Sequence, residues 1–190
     1  MRKYASECIS DYVESVTPVP STTYTLRPAR PRDVRSIRTL VEPYADRRIL
    51  IAKEAVAYYE AVQEFVVADA GDEDAPDLVG CGALHIMWED LAEIRTVAVQ
   101  RGHLGAGVGH AIVTRLVDNA RDLGLRRVFC LTFEVDFFLR HGFRVIEGTP
   151  VEPSVYAELL RSHDDGIAEF LDLARVKPNT LGNTRMLLEL

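Results

Sequence analysis

Three glycines alternate with other residues directly after an apolar run and directly before a helix-like pattern. The stretch VAVQRGHLGAGVGHAIVTRLVDNARDLGL places Gly105, Gly107 and Gly109 at every second position. A glycine inside a helix costs about 1 kcal/mol relative to alanine, so a need for bare backbone must offset that cost. The first turn of a helix has unpaired N–H groups, and a loop without Cβ atoms lets an anion reach them. The stretch therefore predicts a phosphate-binding loop between a strand and a helix.

The spacing of these glycines differs from that of two other phosphate-binding motifs. A Walker loop requires GxxxxGK[ST], and no such Lys followed by Ser or Thr stands here. A dinucleotide fingerprint requires GxGxxG inside a parallel βαβ unit, whereas GAGVG follows elements that we interpret as antiparallel hairpins. A tight strand-to-helix turn that binds no ligand is the remaining alternative.

The composition is typical of a soluble globular protein. The chain has 190 residues, of which 47% are hydrophobic and 27% charged, and its net charge of −7 argues against general nucleic-acid binding. No run approaches the ~20 apolar residues of a membrane span, and the N-terminus lacks the apolar region of a signal peptide. Cys8, Cys81 and Cys130 lack metal-ligand spacing, so we expect a reducing, cytoplasmic setting with neither a disulfide framework nor a metal site.

The hydrophobic patterns predict an N-terminal extension over residues 1–22 and one domain over residues 23–190. Within the domain the predicted order is β-α-α-β-β-β-α-β-α-β, then a variable piece and a closing strand. The predicted strands are TYTLRPA, EFVVADA, LVGCGALHIM, AEIRTVAV, RRVFCLTF, RVIE and TRMLLEL. The main predicted helices are RPRDVRSIRTLVEPY, KEAVAYYEAVQ, the segment from the glycines to Gly124, and VDFFLRHGF. In residues 150–180 we predict a helix near Pro153–His163 followed by irregular chain.

Two motifs together resemble the GCN5-related N-acetyltransferase family. The family loop, Arg/Gln-x-x-Gly-x-Gly/Ala after the fourth strand, is matched by LGAGVG, with Leu104 in place of the leading Arg or Gln. The second motif is a strand, a short helix and HGF before the sixth strand, here VFCLTFEVDFFLRHGFRVI. The resemblance covers residues 24–148 and implies an α+β layered fold. Its central sheet is expected to be mixed and mostly antiparallel, with helices on both faces.

The resemblance implies acetyl-CoA as co-substrate and no metal. The fourth strand is expected to carry a bulge and to splay from the fifth, so that pantetheine pairs with the backbone of Val97 and Val99. The pyrophosphate is expected to meet the amides of the glycine loop. The residues expected to bind acetyl-CoA are Val97, Ala98, Val99, Leu104, Gly105, Ala106, Gly107, Val108, Gly109 and His110. His103 and His110 are either close to the 3′-phosphate or adenine, or simply exposed loop residues.

Acetyl transfer to an amine needs a neutral nitrogen, so a base is expected near the fourth strand. Glu93 is the first candidate because it lies in an otherwise apolar strand, where burial would raise its pKa. A solvent-facing strand residue is the alternative. The N–H of Val97 is expected to stabilise the oxyanion. Many family members protonate the leaving thiolate with a Tyr, but Phe138 stands at that position. Solvent or Thr132 is then the expected acid, unless Thr132 is purely structural.

A finer resemblance points to amino-acid acetyltransferases of the N-acetylglutamate synthase type. It rests on RRILIAKE, LVGCGAL, AEIRTVAV, CLTFEVDFFLRHGF and NTRMLLEL. It implies a short, stand-alone form, a role in arginine biosynthesis and a glutamate acceptor, with a homodimer as a possible assembly. An arginine can bind a carboxylate through two parallel hydrogen bonds. The residues expected to bind the acceptor are Arg47, Arg48, Lys53, Arg95 and Arg185. Another amine acceptor (an amino acid, a polyamine or a protein N-terminus) and a non-catalytic acetyl-CoA-binding regulator remain open alternatives.

Overall fold

The computed structural model describes residues 23–176 and 182–190, so the predicted extension over residues 1–22 lies outside the described residues. The helices and strands follow the predicted order closely. They are β1 (Thr25–Pro28), α1 (Val34–Asp46), α2 (Ala55–Glu60), β2 (Phe65–Asp69), β3 (Leu78–Trp88), β4 (Leu91–Val99), α3 (Val108–Asp122), β5 (Arg127–Thr132), α4 (Val135–Leu139), β6 (Arg144–Val145), α5 (Pro153–Leu159), α6 (Asp165–Phe170) and β7 (Thr184–Glu189).

The strands form one seven-stranded sheet in the order β1-β2-β3-β4-β5-β7-β6. Neighbouring strands are antiparallel except for the parallel pair β4 and β5. Successive residues of a strand point to opposite faces, and along β2 Val66 and Ala68 pack with the buried face of α3, while Phe65 and Val67 pack with α1. The α+β class, the mixed sheet and the helices on both faces are thus confirmed.

A third hydrophobic cluster covers the β5–β7 end of the sheet. It joins Phe129 on β5 and Leu187 on β7 to Leu159 on α5 and to Ile167 and Phe170 on α6. The ring of Phe129 meets that of Phe170 edge to face, with the centroids 5.0 Å apart. Residues 150–176 therefore form a wall against the same sheet that carries the predicted loop.

Helix α6 corrects the prediction of irregular chain after the helix near Pro153–His163. The side chain of Asp164 accepts a hydrogen bond from the N–H of Ile167 at 3.0 Å and caps the helix. The helix has only six residues, which is too short a stretch for periodicity to identify it. Its stability comes from packing against the sheet rather than from intrinsic helix propensity.

The glycines that flank α3 set where that helix begins and ends. Gly107 precedes it with φ +82°, and Gly124 follows it with φ +76°, which confirms the predicted stop at Gly124. Both positions are in the left-handed region that favours glycine.

Among the described residues, no helix has the length and apolar character to cross a membrane. Cys81 and Cys130 are buried free thiols.

Gly82 on β3 lets α3 sit close to the sheet, and we predict that Gly82→Ala destabilises the protein. A Cβ there would lie 2.7 Å from Cγ2 of Ile112 and 3.1 Å from Cδ1 of Leu116. Overpacking of this kind typically costs about 1–3 kcal/mol in the free energy of unfolding, measured by urea denaturation. The control is Gly102→Ala, where a Cβ meets no atom within 4 Å. Equal stability of the two variants would contradict the close approach of α3.

Candidate active site

Strand β4 separates from β5 after a short parallel pairing. Only residues 91–93 of β4 pair with residues 127–129 of β5. On the other side, the β3 register slips so that Thr96 and Val97 lie opposite the single residue Gly82, and Thr96 has φ +57°. This is a β-bulge. The bulge and the splay that the resemblance implies are both present, and the β4 backbone beyond Glu93 faces a cleft instead of β5.

The cleft is a cavity of about 750 Å³ between α1, β4 and the β5–α4 connection. Of the residues expected to bind acetyl-CoA, Val97, Val99 and Leu104 line it. Ala98 and Val108 have buried side chains in the core, which leaves only their backbone groups for a ligand. The groove thus runs along β4 toward the glycine loop.

Two of the three glycines in the loop have conformations that other residues rarely adopt. Gly105 has φ +79° and Gly107 φ +82°, and a Cβ built on either meets no atom within 4 Å. Gly109 is different, because its Cβ would make ordinary contacts with Val99 and Phe137. The loop therefore presents bare backbone to open space at the start of α3, where the helix dipole favours an anion. This arrangement fits the pyrophosphate of acetyl-CoA.

The hydroxyl of Tyr44 is a feature of the groove that the sequence analysis did not identify. Tyr44 lies on α1 and donates a hydrogen bond to the carbonyl oxygen of Val99 at 2.6 Å. The carbonyl of Val99, where pantetheine pairing is expected, therefore has a partner within the chain. The sequence places Tyr44 on the apolar face of α1, and its pairing with β4 depends on a contact 55 residues away along the chain.

Phe138, at the position of the family's Tyr, and Thr132, the candidate acid, lie at the β5–α4 end of the groove. Phe138 is 6% exposed and packs edge to face against Phe137 and Phe143, so the ring is part of the core. Oγ1 of Thr132 accepts a hydrogen bond from the N–H of Glu134 at 2.9 Å, which closes the turn into α4. The hydroxyl of Thr132 keeps its own hydrogen to donate, and Thr132 lines the groove.

The predicted loop histidines lie at the surface beside α3. His110 is exposed, and its ring stacks on that of His141 with the centroids 4.3 Å apart. Burial, with the charges of His110 and Arg140, lowers the pKa of His141 to about 4. His103 is half-buried, and its Nδ1 has no hydrogen-bond partner among the described residues. Contact of either predicted histidine with acetyl-CoA stays a prediction.

A second cavity, of about 590 Å³, opens on the other side of the β4 bulge. We call it the acceptor cavity; its charged lining residues are Arg48, Lys53, Glu93, Arg95, Asp165 and Glu169. It shares Ile94, Arg95, Thr96 and Leu131 with the groove. The two cavities therefore meet where β4 separates from β5.

Glu93 lies at this junction and is buried, with 3% of its surface exposed. That excludes the alternative of a solvent-facing strand residue. Its Oε2 has no hydrogen-bond partner among the described residues, and the Nη1 atom of Arg95 lies 3.9 Å away. Burial raises the pKa of Glu93, and this effect outweighs the opposing charge of Arg95.

Arg95 is the centre of a network of ion pairs rather than a free cation. Its Nη1 donates to both carboxylate oxygens of Asp164 at 3.0 Å, and its Nη2 donates to Glu64 at 3.0 Å. Glu64 also contacts Nδ1 of His85 at 2.8 Å. Burial alone would raise the pKa of Asp164, but the charge of Arg95 and the cap hydrogen bond lower it. Arg95 thus joins β4 to the start of α6.

The other four expected acceptor-binding residues lie in different places. Arg48, with φ +57°, and Lys53 line the acceptor cavity, and neither is paired with a carboxylate of the described residues within 4.0 Å. Burial lowers the pKa of Lys53, and the charge of Arg95 acts in the same direction. Arg47 is exposed and lines the groove instead.

Arg185, the expected acceptor-binding residue on the closing strand, lies against backbone carbonyls, and its contact with the acceptor stays a prediction. Its guanidinium donates to the carbonyl oxygens of Gly148 at 3.1 Å, of Glu169 at 2.9 Å and of Phe170. It also lies 5.1 Å from the centroid of the Phe129 ring. It lines neither cavity, because these carbonyls hold it between β7 and α6.

A backbone cradle for a pyrophosphate, joined to a groove along a splayed strand and to a second polar cavity, is the arrangement of a coenzyme A-dependent acyltransferase. The model of the Acetyltransferase (GNAT) family matches residues 33–143. The chain belongs to the GNAT acetyltransferase family, and acetyl-CoA is its co-substrate.

Relatives of known sequence or structure support this assignment. An amino-acid acetyltransferase of Mycobacterium tuberculosis (strain ATCC 25618 / H37Rv) is 59% identical over 169 residues, which cover 87% of this chain and 94% of that protein. The crystal structure of Rv2747 from Mycobacterium tuberculosis, in complex with CoA and NLQ, has a TM-score of 0.83 at 59% identity and covers 87% of this chain and 99% of that one. N-acetylglutamate synthase from Neisseria gonorrhoeae, complexed with coenzyme A and N-acetyl-glutamate, shares the fold at 20% identity, with a TM-score of 0.68 over 88% of this chain and 35% of that one.

The positive φ of Gly107 predicts that Gly107→Val abolishes acetyl-CoA binding in a protein that still folds. A β-branched side chain at this position would project into the space that the phosphates need. Isothermal titration calorimetry with acetyl-CoA measures the loss. Gly124→Val is the matched control, because Gly124 has φ +76° with open space around it but lies at the other end of α3. If both folded variants bind acetyl-CoA equally, the loop does not hold the phosphates.

Proposed function

We propose that this acetyl-CoA-dependent amino-acid acetyltransferase transfers its acetyl group to the α-amine of L-glutamate. The observation that carries the proposal is the junction of the groove and the acceptor cavity at the β4 bulge, with the orphaned carboxylate oxygen of Glu93 beside it. An amine in the acceptor cavity and a thioester in the groove can approach each other at this junction.

In this proposal Glu93 is the general base. Acetyl-CoA supplies the activated acetyl group. Glu93 accepts a proton from the ammonium of the acceptor, and the neutral nitrogen bonds to the acetyl carbon. As the bond from that carbon to sulfur breaks, the nitrogen loses its extra proton and the departing thiolate gains one, through solvent or the hydroxyl of Thr132. The pKa of Glu93, raised by burial, makes it a better base than a surface carboxylate. The backbone N–H of Val97, in the bulge, is the proposed donor to the acetyl oxygen.

The unpaired cations of the acceptor cavity favour an acidic amino acid over a polyamine. Arg48 and Lys53 reach the cavity and pair with no carboxylate of the residues that the structure describes, whereas Arg95 is occupied by its own ion pairs. An unpaired cation next to a cavity is available to a carboxylate ligand, and such hydrogen bonds are charge-assisted. The name of the 59% identical relative, an amino-acid acetyltransferase, supports an amino acid rather than a polyamine as acceptor.

The base assignment predicts that Glu93→Gln lowers kcat by roughly 10²-fold or more while acetyl-CoA affinity is kept. The loss is expected to shrink at alkaline pH, because the free amine then needs no base. Steady-state kinetics over a range of pH, with a thiol-detecting reagent, measure both effects. Glu89→Gln is the control, because Glu89 is an exposed residue of the β3–β4 turn. A pH-independent loss of less than a few-fold would leave Glu93 with a structural role only.

The acceptor assignment predicts glutamate as the best substrate among glutamate, glutamine, aspartate and lysine near neutral pH. Arg48→Ala and Lys53→Ala are each expected to lower kcat/KM for glutamate by roughly 10- to 150-fold, which corresponds to about 1.5–3 kcal/mol for a charge-assisted hydrogen bond. Arg47→Ala is the matched control, because Arg47 lines the groove and is expected to leave the KM for glutamate unchanged. A preference for lysine or a polyamine would refute the glutamate assignment without affecting the family assignment.

A further inference from the structure

Glu169 is a buried acid that no sequence pattern identified. It lies on α6 with 6% of its surface exposed, and it lines the acceptor cavity. Its Oε1 is buried without a hydrogen-bond partner among the described residues. A buried carboxyl oxygen without a partner is costly, typically by about 1–3 kcal/mol or more, so its presence beside a cavity points to a ligand that satisfies it.

The distance along α6 from Gly166, which covers Glu93, to Glu169 is similar to the length of the side chain of the proposed acceptor. Residues three apart on a helix share a face, so Glu169 points the same way as Gly166. A Cβ on Gly166 would lie 2.6 Å from Oε2 of Glu93, which shows that this face of α6 covers Glu93. The rise from Gly166 to Glu169 is about 4.5 Å. That is close to the roughly 5 Å over four bonds from the α-nitrogen of glutamate to its side-chain carboxyl carbon.

We propose that Glu169 is a specificity-determining residue whose carboxyl group hydrogen-bonds the side-chain carboxyl group of the acceptor. This role rests on the proposed transfer of acetyl to the α-amine of glutamate. With the α-amine at Glu93, the side chain of the acceptor extends along α6 to Glu169. Lys53, in the same cavity, neutralises the carboxylate of the acceptor.

The contact requires one proton between the two carboxyl groups, because an ionised carboxylate only accepts hydrogen bonds. Burial, together with the charges of Glu93, Asp165 and Asp164, raises the pKa of Glu169 to about 8 against the opposing effect of Lys53. Glu169 is therefore mainly protonated near neutral pH and donates to the carboxylate of glutamate. The ionised form, above about pH 8, repels glutamate but accepts a hydrogen bond from the amide of glutamine.

The charged groups around Glu169 come from every element packed against it. They are Glu93 and Arg95 on β4, Arg48 and Lys53 ahead of α2, Asp164 and Asp165 at the start of α6, and Arg185 on β7, which donates to the backbone carbonyl of Glu169. The ratio of kcat/KM for glutamate to kcat/KM for glutamine separates Glu169 from these groups. Both substrates use the same α-amine and the same base, so the titration of the amine and of Glu93 cancels in the ratio.

The test is this ratio as a function of pH in the wild type and in Glu169→Gln. In the wild type the ratio is expected to fall about tenfold between about pH 7 and pH 9, as the free enzyme loses a proton from a group with a pKa of about 8. In Glu169→Gln the fall centred near pH 8 is expected to be lost, because an amide does not titrate, and any dependence on pH that is left is assigned to Lys53. Glu158→Gln, an exposed residue on α5, is the matched control and is expected to keep the wild-type profile.

The outcomes distinguish this proposal from the proposed function. A wild type that acetylates neither amino acid refutes the proposed function itself. A wild type that acetylates glutamate with a flat ratio, or with the same fall in Glu169→Gln, overturns only the role of Glu169. If Glu169→Gln does not fold, calorimetry of the wild type near pH 8 in two buffers measures how many protons are taken up when each amino acid binds. The binding of glutamate is expected to take up more protons than the binding of glutamine, and equal uptake overturns the proposal.

Discussion

The site depends on the early separation of β4 from β5. Parallel strands normally satisfy each other's backbone groups along their length, but here the pairing ends at Glu93. A buried backbone group without a partner is costly, so the part of β4 beyond Glu93 must face a ligand, water or a side chain. Tyr44 supplies one such partner at Val99. The groove, the exposed backbone near Val97 and the junction with the acceptor cavity all result from this interruption of the sheet.

Arg95 transmits the geometry of β4 to the segment that covers it. Its guanidinium binds Asp164, which also caps α6, and Glu64, which precedes β2. A buried cation with several carboxylate partners specifies position more than it adds stability, because desolvation offsets much of the attraction. Helix α6, with Gly166 over Glu93, is positioned by this contact. The network therefore sets the shape of the acceptor cavity without occupying the substrate position.

The local parts of the site follow from the sequence, and the parts made by distant contacts do not. The alternating glycines at Gly105 and Gly107, the apolar strand around Glu93 and the helix face of α3 are local patterns, and the structure bears out the elements they predict. Helix α6 is too short for its periodicity to be recognised, and its cap depends on Arg95, 69 residues earlier in the chain. Arg185 has the charge expected of a carboxylate ligand, but only the fold shows that backbone carbonyls use its donors.

Two buried carboxyl oxygens of the acceptor cavity are left unsatisfied by the residues that the structure describes. Oε2 of Glu93 and Oε1 of Glu169 both lack hydrogen-bond partners among the described residues, although nearly all buried polar groups in folded proteins have one. Replacing both acids with apolar residues would remove that cost, so stability alone does not explain them. A ligand with an ammonium donor at one end and a carboxylate acceptor at the other can satisfy both acids too, and its binding free energy would then include these hydrogen bonds. If the proposed contacts are made, these two acids lower the stability of the protein without ligand and raise its affinity for the acceptor, and α6 carries one of them and covers the other.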